Sequence, residues 1–244
     1  MENRLKYLDE FQKVLARYEI SDRSRATLLN TKLVAMVAPS SVGRNTIIRE
    51  LLKTGDYHFV VSDTTRQIRT NDGVPEQNGV EYWFHSETEI LDGLKSGEFL
   101  EAAIIHNQQV SGISIRELQR AQKEGRAAIS DIEIVGMQNI INAKPDAFAL
   151  FILPPDFDTW MQRMNDRGIM SLEEKRRRLG SALQEFTAAI DNRYYTYIIN
   201  DNFHNSVAKI HGVVIEGLPS PDQENGRELA KQLRSATEKW LYVN

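Results

Sequence analysis

The chain is predicted to adopt an α/β fold, a parallel sheet flanked by helices, with an inserted subdomain and a helical extension at each end. Three observations point to it. Leu33–Val37 and Ala147–Leu153 are continuous apolar runs, and Ala127–Ile132 is a third, mostly apolar stretch, as strands buried on both faces should be. Stretches with apolar residues at helical spacing separate them. A polar tract with short strands of its own, residues 70–112, interrupts the alternation.

Taken in order, Leu5, Leu8, Phe11, Leu15 and Tyr18 recur at helical spacing, and Ser21 is placed to cap a second helix ending near Asn30. After the strand at 33–37, a loop over 38–44 enters a helix carrying Ile47, Ile48, Leu51 and Leu52, which Gly55 should end. Phe59–Val61 and Glu81–Phe84 read as strands on either side of a polar loop at 70–80. A helix over about 86–95 precedes a strand at Phe99–Ile105, and Ile115–Gln122 is helical. The strand at 127–132 leads to a helix at Ile134–Ala143, and the strand at 147–153 stops at Pro154-Pro155. Asp156 or Asp158 should cap the next helix, and a long helix should run from Ser171 to Asn192. Tyr197–Asn200 is a last strand, Val207–Leu218 is helical, and a charged helix runs from Asp222 to about Trp240.

Composition narrows the class. The 244 residues are 41% hydrophobic and 26% charged, ordinary for a soluble globular chain, and the formal net charge of −4 argues against a dedicated nucleic-acid binder. With no cysteine there is no disulfide framework, thiol nucleophile or zinc–thiolate site, and a reducing compartment fits. The N-terminus lacks a signal-peptide core and no apolar run is long enough to span a membrane, so a cytoplasmic protein without membrane or nucleic-acid partners is expected.

Two segments carry chemistry. Ala38-Pro39-Ser40-Ser41-Val42-Gly43-Arg44-Asn45-Thr46 joins a buried strand to a helix, where backbone N–H groups at the helix start can hold phosphate. Against the G-x-x-x-x-G-K-[ST] template of a P-loop, Gly43 fits, while Ala38 replaces the first glycine, Arg44 the lysine and Asn45 the hydroxyl residue. Ser40 through Thr46 are the expected triphosphate-binding residues. Further on, Ser62-Asp63-Thr64-Thr65-Arg66-Gln67-Ile68-Arg69 sets two arginines three residues apart, a fork suited to one phosphate. A donor loop followed by an acceptor clamp suggests a nucleoside monophosphate kinase.

The clamp segment resembles the S-x-T-T-R-x-x-R signature of guanylate kinases. The resemblance continues, in order, through Gly79–Phe84, Gly97–Glu101, Asp131–Gly136, Phe151–Pro155 and Asn200-Asp201, covering about residues 32–214. It implies a P-loop NTPase-type sheet with an inserted mixed α/β GMP-binding subdomain at about 63–113 and a helical lid at about 156–192, all within 31–217. Residues 1–30 and 218–244 are then appended helices, expected to cover the sheet edge or to make a homodimer contact. By the same resemblance Arg66, Arg69 and Tyr82 hold the GMP phosphate, and Ser62, Glu101 and Glu133 read guanine. Asp131 faces the loop cation and, with Asn45, Mg²⁺. Arg44, Arg163, Arg167 and Arg178 neutralise the moving phosphoryl group.

The family's tyrosine–tyrosine–glycine turn is matched here by Gln109-Val110-Ser111-Gly112-Ile113, so a second phosphate-binding tyrosine is missing, and Glu133 stands for the usual aspartate. The implied activity is ATP + GMP to ADP + GDP, a purine-nucleotide reaction with Mg²⁺. The alternatives are a catalytically inactive binding module that grips an acidic or phosphorylated peptide, and a kinase for another monophosphate.

Overall fold

The apolar runs do become parallel strands. The structure, a computed structural model, describes residues 4–71, 73–166, 168 and 170–243. The elements in order are α1 (Leu8–Leu15), α2 (Asp22–Asn30), β1 (Leu33–Val37), α3 (Arg44–Lys53), β2 (Tyr57–Phe59), β3 (Asp63–Thr64), β4 (Thr70–Asn71) and β5 (Val74–Pro75). Next come β6 (Trp83–Phe84), α4 (Glu87–Lys95), β7 (Phe99–Ile105), β8 (Gln109–Ser114), α5 (Ile115–Glu124), β9 (Ala127–Asp131) and α6 (Ile134–Ala143). The chain closes with β10 (Phe148–Leu153), α7 (Phe157–Asn165), α8 (Leu172–Asp191), β11 (Thr196–Ile199), α9 (Phe203–Val214) and α10 (Gln223–Val243). No helix of the described residues is long and apolar enough to cross a membrane.

The chain divides into two compact units. The first holds the described residues up to Leu33 together with Tyr57–Ser130. It contains the parallel pair β2–β9 and a four-stranded mixed sheet of order β6-β3-β8-β7. In that sheet β3 runs parallel to β6 and antiparallel to β8, and β6 and β7 are the edges. Leu5, Leu8 and Phe11 of the N-terminal segment are buried against Ile90, Leu91 and Leu94 of α4 and Phe99 of β7, so the extension completes this unit's core. Ser21 caps α2, its hydroxyl accepting from the Ser24 N–H at 3.2 Å, as expected.

The second unit holds Val34–Asp56 and Asp131 onward. There β10 lies between β1 and β11, all three parallel. Phe151 stacks edge-on against Tyr195 at 5.4 Å, and Trp160 against Phe186 at 5.6 Å, forming an aromatic core. On the free edge of β11, Asp222 takes the Ile199 N–H at 2.8 Å and Gln223 takes the Tyr197 N–H at 3.2 Å. The C-terminal segment therefore covers a sheet edge.

Several boundaries differ from expectation: the helix expected at Val207–Leu218 runs from Phe203 to Val214, the strand expected at Glu81–Phe84 is confined to Trp83–Phe84, and three further differences have a visible reason. The second strand is Tyr57–Phe59 rather than 59–61, because the Glu117 carboxylate receives the Val61 N–H at 3.4 Å and ends the ladder. The polar tract 70–80 contains the hairpin β4–β5. Gln109–Ile113, aligned above with a turn, is part of strand β8; the reversal falls earlier, where His106 and Asn107 have φ of 52° and 57°.

Candidate functional site

In the second unit, the loop between β1 and α3 lines a cavity of about 240 Å³ together with Ile132, Glu133 and Glu185. Gly43 is the N-cap of α3 at φ 103°, and a Cβ there would come within 2.7 Å of the Asn200 side-chain nitrogen. That amide in turn donates to the Val42 carbonyl at 2.7 Å. Glycine is therefore required twice over, by conformation and by space. Ser41 sits at φ 67° without being glycine, and its buried hydroxyl has no partner among the described residues. A left-handed serine costs about 1 kcal/mol. The loop is held in a strained shape with helix N–H groups presented to the cavity.

Arg44 opens α3, and its guanidinium donates to Asp131 at 3.0 Å and to the Met36 carbonyl at 3.5 Å. Both side chains are partly exposed, so the pair adds little stability and its charge stays accessible. Arg178 donates to the Ser40 hydroxyl at 3.2 Å and is braced by Glu174 at 2.7 Å. Arg163 donates to the Asn200 and Asp201 carbonyls at 3.0 and 3.3 Å. Trp160 fixes the loop from behind, donating to the Ser40 carbonyl at 2.8 Å. Ser40 to Asn45 and Glu133 thus share one cavity, Asp131 is joined to it through Arg44, and Thr46 lies one position beyond. Arg167 lies outside the described residues.

Glu185 is a member of this group that sequence reading missed. Its carboxyl is pushed up to about 8, first by burial and then by the Glu133 carboxylate, with Arg44 pulling the other way. One of its oxygens is buried without a partner among the described residues. The only hint in sequence is that Glu185 falls beside the buried Ala182 and Phe186 of α8. From the ordinary 4.5 up to about 8, the fold keeps a proton that the unfolded chain gives up, so stability falls as pH rises through that window. Glu185→Gln removes the dependence. Its melting temperature should match the parent's at pH 4.5 and exceed it by about 3 °C at pH 8.5, and equal melts at both pH values would contradict the burial.

In the first unit, Arg66 follows β3, and its guanidinium lies 4.9 Å from the Tyr82 ring and 5.5 Å from Phe84. It makes a bidentate pair with Glu76 at 2.8 and 2.9 Å. Glu76 also accepts the Arg69 N–H at 2.8 Å, so one carboxylate ties both arginines of the fork. This bonding holds the Glu76 carboxyl down at about 2. Glu76 was not anticipated; it sits seven residues past Arg69, beyond the hairpin. Arg66 is thus paired with Glu76, whereas the Arg69 guanidinium forms no close ion pair among the described residues. Ser62 receives the Trp83 N–H on its carbonyl at 2.9 Å. Glu101 lies on β7, where burial raises its carboxyl, and it has no hydrogen-bond partner among the described residues. Glu133, at the N-cap of α6, belongs to the second unit.

Among the described residues no three acidic or histidine side chains converge on a metal position. One carboxylate, Asp131, with the Asn45 amide and nucleotide phosphates is nonetheless a donor set that suits Mg²⁺, which keeps waters and phosphate oxygens as most of its ligands.

Comparison with known proteins identifies the family. The family model described as guanylate kinase matches residues 30–216. A guanylate kinase of Corynebacterium diphtheriae is 31% identical over 186 residues, covering 75% of this chain and 94% of its own length. A guanylate kinase of Porphyromonas gingivalis is 33% identical over 191 residues, covering 76% and 97%. The crystal structure of guanylate kinase from Anaplasma phagocytophilum superposes with a TM-score of 0.55 at 20% identity, covering 85% of this chain and 97% of that one, a likeness of fold. With the family pattern spanning most of its length and both loops built as described, the chain belongs to the guanylate kinase family.

Proposed function

We propose that this protein transfers the γ-phosphoryl group of ATP to GMP, giving ADP and GDP. The observation that carries the proposal is that one chain holds both half-sites. The β1–α3 loop with its Arg44–Asp131 pair suits a triphosphate, and the Arg66–Glu76–Arg69 clamp beside Tyr82 suits a monophosphate. A phosphate oxygen of GMP forms the new bond to the γ-phosphorus as the bond to the β,γ-bridging oxygen breaks, and ADP leaves. Protein groups serve by position and charge.

In this reading Ser40 to Thr46 cradle the triphosphate through backbone N–H groups, and Arg44 supplies the cation that lysine supplies in the template. Arg163, Arg167 and Arg178 neutralise charge on the lid side. Arg69, Arg66 and Tyr82 hold the acceptor phosphate, and Ser62, Glu101 and Glu133 read the base. Asp131 and Asn45 would hold Mg²⁺, which neutralises the β- and γ-phosphate oxygens when bound. A cytoplasmic location suits an enzyme that acts on small nucleotides. A pure peptide-binding module has no use for the Arg44–Asp131 pair or for Arg178 on the loop hydroxyl, and this favours the enzyme.

The test is a coupled assay of the purified protein with ATP, Mg²⁺ and each nucleoside monophosphate in turn, deoxy forms included. Turnover is expected with GMP and not with AMP, by at least about a thousandfold in kcat/KM. Turnover with another monophosphate would overturn the guanine assignment. GMP binding without turnover would make the protein a binding module.

A further inference from the structure

Residues 4–29 lie before the family match, yet they reach the strand that carries Glu101. Strand β7 is an edge, and its ladder with β8 contains an irregularity. Phe99 pairs with Ser114, but the next pair is Glu101 with Ile113, so Leu100 is an extra residue on β7. The consequence is visible in the packing. Phe99 is buried in the cluster under α1 and α4, and beyond the bulge Ala102 and Ile104 pack on that same cluster. In an unbroken strand Glu101 would share the face of Phe99; the extra residue sends it to the other face.

That bulge is gripped from outside by the N-terminal segment. The Tyr18 hydroxyl donates to the Phe99 carbonyl at 2.5 Å and accepts the Phe99 N–H at 2.8 Å, filling both bonds that a neighbouring strand would make. Two residues earlier, the Gly97 carbonyl accepts the Ser21 N–H at 3.0 Å and the Ser24 hydroxyl at 2.7 Å. Gly97 has φ of 66°, and a Cβ there would stand 2.6 Å from the Ser21 nitrogen. The turn before β7 is therefore shaped to admit the extension.

We propose that Tyr18 is a positioning residue for acceptor recognition, its hydroxyl holding the Leu100 bulge that turns Glu101 out of the apolar core. The inference rests on the reading of Glu101 as the guanine-recognising carboxylate. Ionised, Glu101 would accept from both N1–H and the 2-amino group of guanine, and IMP lacks that amino group. The hydroxyl thus sets how well the enzyme tells GMP from IMP, although Tyr18 touches neither.

The experiment compares Tyr18→Phe, Leu15→Ala and Glu101→Gln in steady-state kinetics with GMP, IMP and ATP, alongside thermal melts. Tyr18→Phe keeps the ring and should raise KM for GMP about tenfold and lower the GMP-over-IMP preference about tenfold, with KM for ATP within about twofold. Leu15→Ala loosens the same cluster and spares the hydroxyl, so it should lower the melting temperature at least as much and leave the preference alone. Tyr18→Phe that melts lower but keeps its KM and preference would overturn the inference, as would Leu15→Ala shifting the preference equally. Glu101→Gln separates the two layers. If it collapses the preference while Tyr18→Phe does not, the positioning role fails alone; if it leaves the preference intact, the reading of Glu101 fails and takes this inference with it.

Discussion

Arg44→Ala is expected to lower kcat about a thousandfold, while Arg44→Lys stays within about tenfold of the parent or exceeds it. The alanine variant removes, among the described residues, the cation at the start of α3 that lines the loop cavity and bonds Asp131. A thousandfold loss corresponds to about 4 kcal/mol of transition-state stabilisation, the scale of one preorganised charge on a transferring phosphoryl group. Stability should barely respond, since the Arg44–Asp131 pair is partly exposed and such pairs contribute little. Arginine differs from lysine in spreading its charge over a planar fork. Here one amino group serves Asp131 and the other reaches the Met36 carbonyl at 3.5 Å, so the guanidinium is anchored at both ends. Lysine offers a more compact charge and forgoes part of the anchoring, opposing effects that should nearly cancel. Single-turnover rates with saturating ATP and GMP would decide it. An alanine variant with parental kcat would remove Arg44 from the chemistry, and a dead lysine variant would mean the loop depends on the guanidinium fork itself.

What could be read beforehand divides along physical lines. Signals that depend on neighbours in sequence were legible: the Ser21 cap, the helix at Ile134–Ala143, the helix that Ser171 opens and the buried strand at Leu33–Val37 all stand where local pattern put them. Features fixed by partners far along the chain were not. Strand β2 ends where Glu117, some sixty residues on, takes a backbone N–H. The hairpin β4–β5 hides in a run of Gly, Asn and Asp whose composition reads as loop. Among the candidate site residues, Arg44, Arg66 and Arg69 stand out in sequence because charge at a given spacing is visible there, and Asp131 is proposed through the family resemblance. Glu76 and Glu185 do not stand out, because an acidic residue on a polar stretch looks like solvated surface until its arginine or its burial is known. From sequence the C-terminal helix reads as either an edge cover or a dimer contact, and in the structure Asp222 and Gln223 take backbone N–H groups on the β11 edge.

Glu101→Gln should reduce kcat/KM for GMP about a thousandfold while leaving the KM for ATP within about twofold. A carboxylate presents two acceptors to the paired donors of guanine, whereas the amide replaces one acceptor with an N–H₂ group that opposes a donor. A site built around hydrogen bonds to a substrate loses most when a buried polar group is left facing the wrong partner. Glu101 is half-buried, and its partial desolvation sharpens the effect by limiting the water that would otherwise compensate. The same burial raises the carboxyl above the usual range, and only the ionised form can accept from both guanine donors. The parent's kcat/KM for GMP should therefore fall, as pH is lowered, at a higher pH than an exposed glutamate would give. Glu101→Gln, already lacking the titrating group, should lose that acid limb. A variant that keeps the limb while losing activity would assign the titration to another group and leave Glu101 as a shape element of β7. Retention of both limb and activity would remove the carboxylate from guanine recognition altogether. The two measurements together separate charge from position at this residue, which a single activity value cannot do.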